Sequence, residues 1–168
     1  SKDNDMPGSD SAGTASLALL SPYDFADNDH IASIYFLLAY SNDLLQNKVK
    51  ALQSIQNAIK IAEKKYGNGS DLYFRYYNGL CNIYMISGQT ELALSSYQNL
   101  LVKMERSIGK KNKNYINCLT NLSNLYLGLD SLSRVEELRT EAMQLSEQVF
   151  GRVSNENMNA LFNIGSYY

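Results

Sequence analysis

The chain has 168 residues and a net charge of −2, with 45% hydrophobic residues, enough for one domain with a sizeable core. The slightly acidic balance argues against nucleic-acid binding, which needs a basic face. No run of 18 apolar residues occurs, so no membrane-spanning helix is expected.

Residues 1–26 read as a flexible leader or linker. SKDNDMPGSDSAGTAS is rich in Ser, Asp, Gly and Asn, and SLALLSPYDF (16–25) is more apolar and able to form a short turn of helix before Pro22. Pro7 and Pro22 are the only prolines, so nothing after residue 22 forbids continuous helix. DNDH (27–30) reads as a helix start with Asp27, Asn28 or Asp29 as the N-cap.

From there the chain repeats itself at a spacing of 42 residues. Tyr84, Tyr126 and Tyr168 keep that register, as do Gly67, Gly109 and Gly151, each with a glutamate four residues before it (Glu63, Glu105, Glu147). Ala51, Ala93 and Val135 keep it too, and so do Ala58, Leu100 and Ala142. The spacing predicts an array over 27–168, with repeats at about 29–70, 71–112 and 113–154 and a partial one at 155–168.

The clearest repeat holds two helical patterns. Tyr77, Leu80, Cys81 and Tyr84 fall on one helix face, and Ser87-Gly88-Gln89 breaks the helix. Leu92, Ala93, Tyr97, Leu100, Leu101 and Met104 mark a second helix, which Gly109 ends as a left-handed C-terminal residue, before a lysine-bearing loop. Neither helix can bury its stripe alone, so neighbouring repeats must stack.

These residues resemble the tetratricopeptide signature: Tyr77, Leu80, Cys81 and Tyr84, then Ala93 and Tyr97. The same positions hold Leu119, Leu122, Ser123 and Tyr126 in the next repeat, and Leu161, Ile164, Gly165 and Tyr168 in the last. The first repeat has Tyr35, Leu38 and Ala39, with Asn42 where Tyr is expected. The small residue, Ala39, Cys81, Ser123 or Gly165, would let the two helices of a hairpin approach closely.

The eight residues beyond the usual 34 add roughly 12 Å of helix, which resembles the kinesin-light-chain type of repeat. LTNLSNLY (119–126) and EQVFG (147–151) match that type well. Two departures stand out: the His-Pro that often follows the glycine is absent, and Arg139 occupies an aromatic position, which predicts looser packing of the second helix there. The resemblance implies an all-α fold, a right-handed α-α superhelix or solenoid of helix hairpins, with first helices lining a concave groove and second helices forming the convex back.

On the groove-facing side it implies a peptide- or partner-binding set: Phe36, Tyr40, Arg75, Asn78, Asn82, Asn117, Asn121, Asn124, Asn159 and Asn163. Asparagine carries a donor and an acceptor without charge, so it can bond a guest backbone whatever the guest's side chains are. Asn78 and Asn82 would then accept a helix-propensity penalty of a few tenths of a kcal/mol each to line a groove. The bland reading is that they satisfy neighbouring helices or face water. Gly79 reads as a close-packing position. A carboxylate clamp is disfavoured, because only Arg75 is placed for it.

Catalysis within these residues is not expected. His30 is the only histidine, the glycines are spread by the repeat rather than clustered, and Glu136, Glu137 and Glu141 read as a solvated outer face. Cys81 and Cys118 read as buried thiols with no metal-ligand spacing, and no cofactor is expected. The expected function is a docking or sensor arm that binds a protein or peptide. The alternatives are a self-association scaffold using the C-terminal partial repeat, and a regulatory domain of a longer enzyme or transcription regulator continuing past Tyr168. A cytoplasmic location is favoured, with an exported or cell-envelope location, its signal segment removed, as the alternative.

Overall fold

The computed structural model describes residues 29–44 and 46–151. The leader expected at 1–26, the N-cap candidates Asp27 and Asn28, and the partial repeat at 155–168 lie outside the described residues. Among the described residues six helices follow one another: α1 (Asp29–Leu44), α2 (Lys48–Tyr66), α3 (Asp71–Ile86), α4 (Thr90–Ser107), α5 (Lys113–Leu127) and α6 (Leu132–Phe150). Among the described residues there is no strand, and the fold is all-α, built of helix hairpins that recur at the 42-residue register. The chain divides into two compact units, one up to Asn68 and the other from Gly69 onward. The first contains the α1–α2 hairpin. The second contains the α3–α4 and α5–α6 hairpins.

Each hairpin closes on the same turn. Gln46 N donates to Asp43 O and Asn47 N to Asn42 O. Forty-two residues on, Gly88 N donates to Met85 O and Gln89 N to Tyr84 O, and another 42 on, Asp130 N donates to Leu127 O and Ser131 N to Tyr126 O. The pivot residue is left-handed each time, with φ of 58° at Gln46, 74° at Gly88 and 53° at Asp130. Only Gly88 adopts that conformation without steric cost. The second helices end differently: Gly67, Gly109 and Gly151 all have φ between 75° and 82°. Gly67 N and Gly151 N donate to Glu63 O and Glu147 O, whereas Gly109 N reaches Met104 O.

In the C-terminal unit the first helices start on side-chain caps. Ser70 Oγ accepts from Tyr73 N at 3.3 Å, and Asn112 Oδ1 accepts from Asn114 N at 2.7 Å. Inside the hairpins the small position is fully buried at Ala39, Cys81 and Ser123, which is the close approach the sequence expects. In α2 the seam is three alanines, Ala51, Ala58 and Ala62, with Ile55 and Ile59. In α4 it is Ala93, Tyr97, Leu100 and Met104. Each fully buried large apolar side chain in these seams contributes about 1.5–3 kcal/mol. Leu92 is the exception to the expected stripe: it sits in the first turn of α4, one position before the inward-facing Ala93, and is exposed.

Arg139 corrects a second expectation. It is only 6% exposed and packs as tightly as its neighbours. Its Nε donates to Ser123 Oγ at 3.3 Å and its Nη2 to Asn124 Oδ1 at 3.2 Å. The stem lies in the seam while polar groups of the facing helix receive the head, so a guanidinium fits where an aromatic ring stands in the preceding repeat.

Candidate functional site

In the C-terminal unit the two first helices, α3 and α5, pack side by side. Their N-terminal ends are tied together by one carboxylate. Asp71, the first residue of α3, accepts on Oδ1 from Asn112 Nδ2 at 2.9 Å and from Asn114 Nδ2 at 3.2 Å, and Asn114 Nδ2 also reaches its backbone oxygen at 3.0 Å. These residues, with Leu72 and Arg75 on α3 and Lys113 and Asn117 at the start of α5, line an open cleft of about 670 Å³. The lining combines two cations, one carboxylate already held by two amides, and three asparagines. Such a surface offers hydrogen-bond donors and acceptors at several points along a groove.

Of the residues singled out in the sequence, Arg75 and Asn117 both line this cleft, and both are exposed. Asp71, Leu72, Asn112, Lys113 and Asn114 line it as well and were not anticipated. The repeat register places 71 and 113 opposite each other, but nothing in the sequence says that Asp71 would bind across to the neighbouring first helix.

The other asparagines sit differently. Asn82 Oδ1 accepts the hydroxyl hydrogen of the fully buried Tyr97, inside its own hairpin. Asn124 Oδ1 accepts from Arg139 at the equivalent position. In the first hairpin the register places Tyr40 and the fully buried Ile55 at these positions. In both hairpins of the C-terminal unit an asparagine of the first helix thus receives a polar group of the second, a hydroxyl in one and a guanidinium in the other. Asn78 is half-buried, and its Oδ1 is closed off from solvent with no hydrogen-bond partner among the described residues. Asn121 is half-buried on α5. Phe36 and Tyr40 lie on α1 in the N-terminal unit and form an edge-to-face pair with centroids 5.0 Å apart. Asn159 and Asn163 lie outside the described residues. Gly79 is buried.

Asn42, where the sequence leads one to expect Tyr, is buried. Its Nδ2 donates to Leu38 O at 2.8 Å, and its Oδ1 has no partner among the described residues. Cys81 and Cys118 are free and fully buried. Burial pushes the Cys81 thiol up to about 12. It raises Cys118 as well, and the neighbouring Cys81 adds to the rise. Neither sulfur carries thiolate at neutral pH, so neither has the character of a nucleophile. Among the described residues no group of three or more His, Cys, Asp or Glu side chains could hold a metal ion, and no helix is long and apolar enough to cross a membrane.

No family model matches the sequence, and no curated protein matches it. Among solved structures the chain is similar to the crystal structure of BtubC (BKLC) from P. vanneervenii, with a TM-score of 0.78 and 19% identity. The match covers 95% of this chain and 63% of that one, so this chain spans less than two thirds of BtubC's length. At that identity the likeness establishes a helical-repeat fold and nothing about ligands.

Proposed function

We propose that this chain is a tetratricopeptide array of the kinesin-light-chain type that works as a protein-interaction module. Its groove along the first helices holds a peptide or a partner segment, and the segment itself performs no catalysis. The observation that carries this reading is the cleft between α3 and α5, which Arg75 of one helix and Asn117 of the other line together with the Asp71–Asn112–Asn114 clasp. A groove with asparagine amides on one side and a guanidinium on the other suits an extended main chain. Amides meet peptide C=O and N–H groups regardless of sequence, and a guanidinium presents its donors in a fixed fork. The clasp holds the two helix starts together before a guest arrives, which lowers the ordering cost of binding. The 42-residue repeat and the recurring hairpin turns support the family reading.

The test is selection of binders from a random-peptide display library on the whole chain, followed by calorimetry on the recovered peptides. Arg75→Glu combined with Asn117→Ala should weaken them about tenfold or more while leaving the circular dichroism unchanged, because both residues are exposed. Unchanged affinity for every selected peptide would contradict the proposal.

A further inference from the structure

The exposed aliphatic side chains are not scattered. Of the ten large apolar residues exposed among the described residues, seven stand at the turns joining first to second helices. In the C-terminal unit Ile86 ends α3 at 60% exposure, and Leu127, Leu129 and Leu132, at 38%, 45% and 50%, occupy the α5–α6 turn. The α1–α2 turn of the N-terminal unit repeats the pattern with Leu44 and Val49. The connections at the opposite helix ends are built otherwise: Gly67-Asn68-Gly69-Ser70 and Gly109-Lys110-Lys111-Asn112-Lys113 are polar or basic. Solubility alone gives no reason for one set of loops to be greasy and the other charged.

We propose that the edge formed by the α3–α4 and α5–α6 turns is a docking surface distinct from the cleft, and that it takes a short amphipathic segment of a partner, with apolar anchors beside basic residues. Three observations select that occupant. Ile86, Leu127, Leu129 and Leu132 together present about as much surface as two fully exposed aliphatic side chains, on the order of 400 Å². Even taken as one surface, that is about half of the ~800 Å² per partner that a stable folded interface needs. A segment with two or three anchors fits it better than a second globular copy. The backbone beneath is fixed by the paired turn bonds at Gly88–Gln89 and Asp130–Ser131, so the anchors' seats are already in place. The charge around the patch is acidic: Glu91 and Asp130 are exposed beside it, whereas the nearby Arg134 is spent on Glu137 at 2.6 Å and on the Tyr126 ring. Apolar anchors flanked by Lys or Arg complement that arrangement, and acidic flanks oppose it.

The probes are two ten-residue amphipathic peptides with the same leucine spacing, one with lysine and one with glutamate on the polar side. Each is titrated into the ¹⁵N-labelled chain. The lysine peptide should shift amides in 86–92 and 127–134 and bind about tenfold or more tightly than the glutamate peptide. Ile86→Glu combined with Leu129→Glu, both exposed, should abolish the shifts with the helix content intact. Absence of shifts, equal binding of the two peptides, or shifts centred on Asp71–Asn117 would overturn the proposal. So would a concentration-dependent dimer, or flotation with anionic vesicles, that Leu129→Glu removes, since each makes the occupant a second copy or a lipid surface.

Discussion

Replacing Tyr97 by Phe deletes one hydroxyl and keeps the ring volume, so it isolates the hydrogen bond to Asn82 from the packing around it. Tyr97 is fully buried and Asn82 half-buried, so the two ends of the bond respond differently when the other is removed. In Tyr97→Phe the freed Asn82 oxygen can recover water, and the cost should be about 1 kcal/mol. In Asn82→Ala the fully buried hydroxyl loses its amide acceptor, which costs about 2 kcal/mol, offset by a few tenths from the better helix propensity of Ala. The double variant leaves nothing unpaired and should cost about 1 kcal/mol less than the sum of the singles. Urea denaturation followed by circular dichroism measures all four corners of the cycle. Additivity within about 0.3 kcal/mol would refute the hairpin lock and return Asn82 to the groove.

Three further outcomes follow from the geometry. Asp130→Gly relieves a left-handed residue with φ of 53° and should raise stability by up to about 1 kcal/mol in urea; a loss of stability would mean that the Asp130 side chain is needed in the turn. Cys81 and Cys118 should resist a thiol-disulfide reagent at pH 8 while the chain is folded and react fully in urea, because burial holds both thiols protonated; native-state labelling at the rate of an exposed thiol would contradict this. The Asp29 carboxyl is held below its ordinary value first by the Tyr66 hydroxyl at 2.6 Å and then by Lys65. That contribution is present above the unfolded carboxylate's pKa and is lost as pH falls through the lower folded value. Tyr66→Phe should raise the Asp29 pKa in an NMR titration, and an unchanged value would show that the bond does not form in solution.

The repeat was legible because it rests on spacing, and spacing survives substitution. Tyr84 with Tyr126, and Gly67 with Gly109 and Gly151, fix the register whatever lies between them. Chemistry held by a pair of residues was harder to see. Gly88 announced its left-handed turn, but Gln46 and Asp130 adopt the same conformation with ordinary side chains. Only the register, applied after Gly88 is understood, points to them. Arg139 reads as a defect in the seam because its partners, Ser123 and Asn124, lie 16 and 15 residues away on the facing helix. The asparagines within the first helices divide accordingly. Asn82 and Asn124 answer to their own hairpins, while Arg75 and Asn117 line a cleft that a single-helix projection could not show. That projection also missed Asp71, Asn112 and Asn114, whose mutual hydrogen bonds depend on how two first helices start side by side.

The most direct measurement of the central claim is to place a display-selected peptide on the chain by amide chemical-shift mapping. A guest held by the first helices should perturb residues 71–78 and 112–121 together, with the Arg75 and Asn117 amides among the largest shifts. Perturbations confined to the outer faces of α4 and α6 would contradict the account and make those second helices the binding surface.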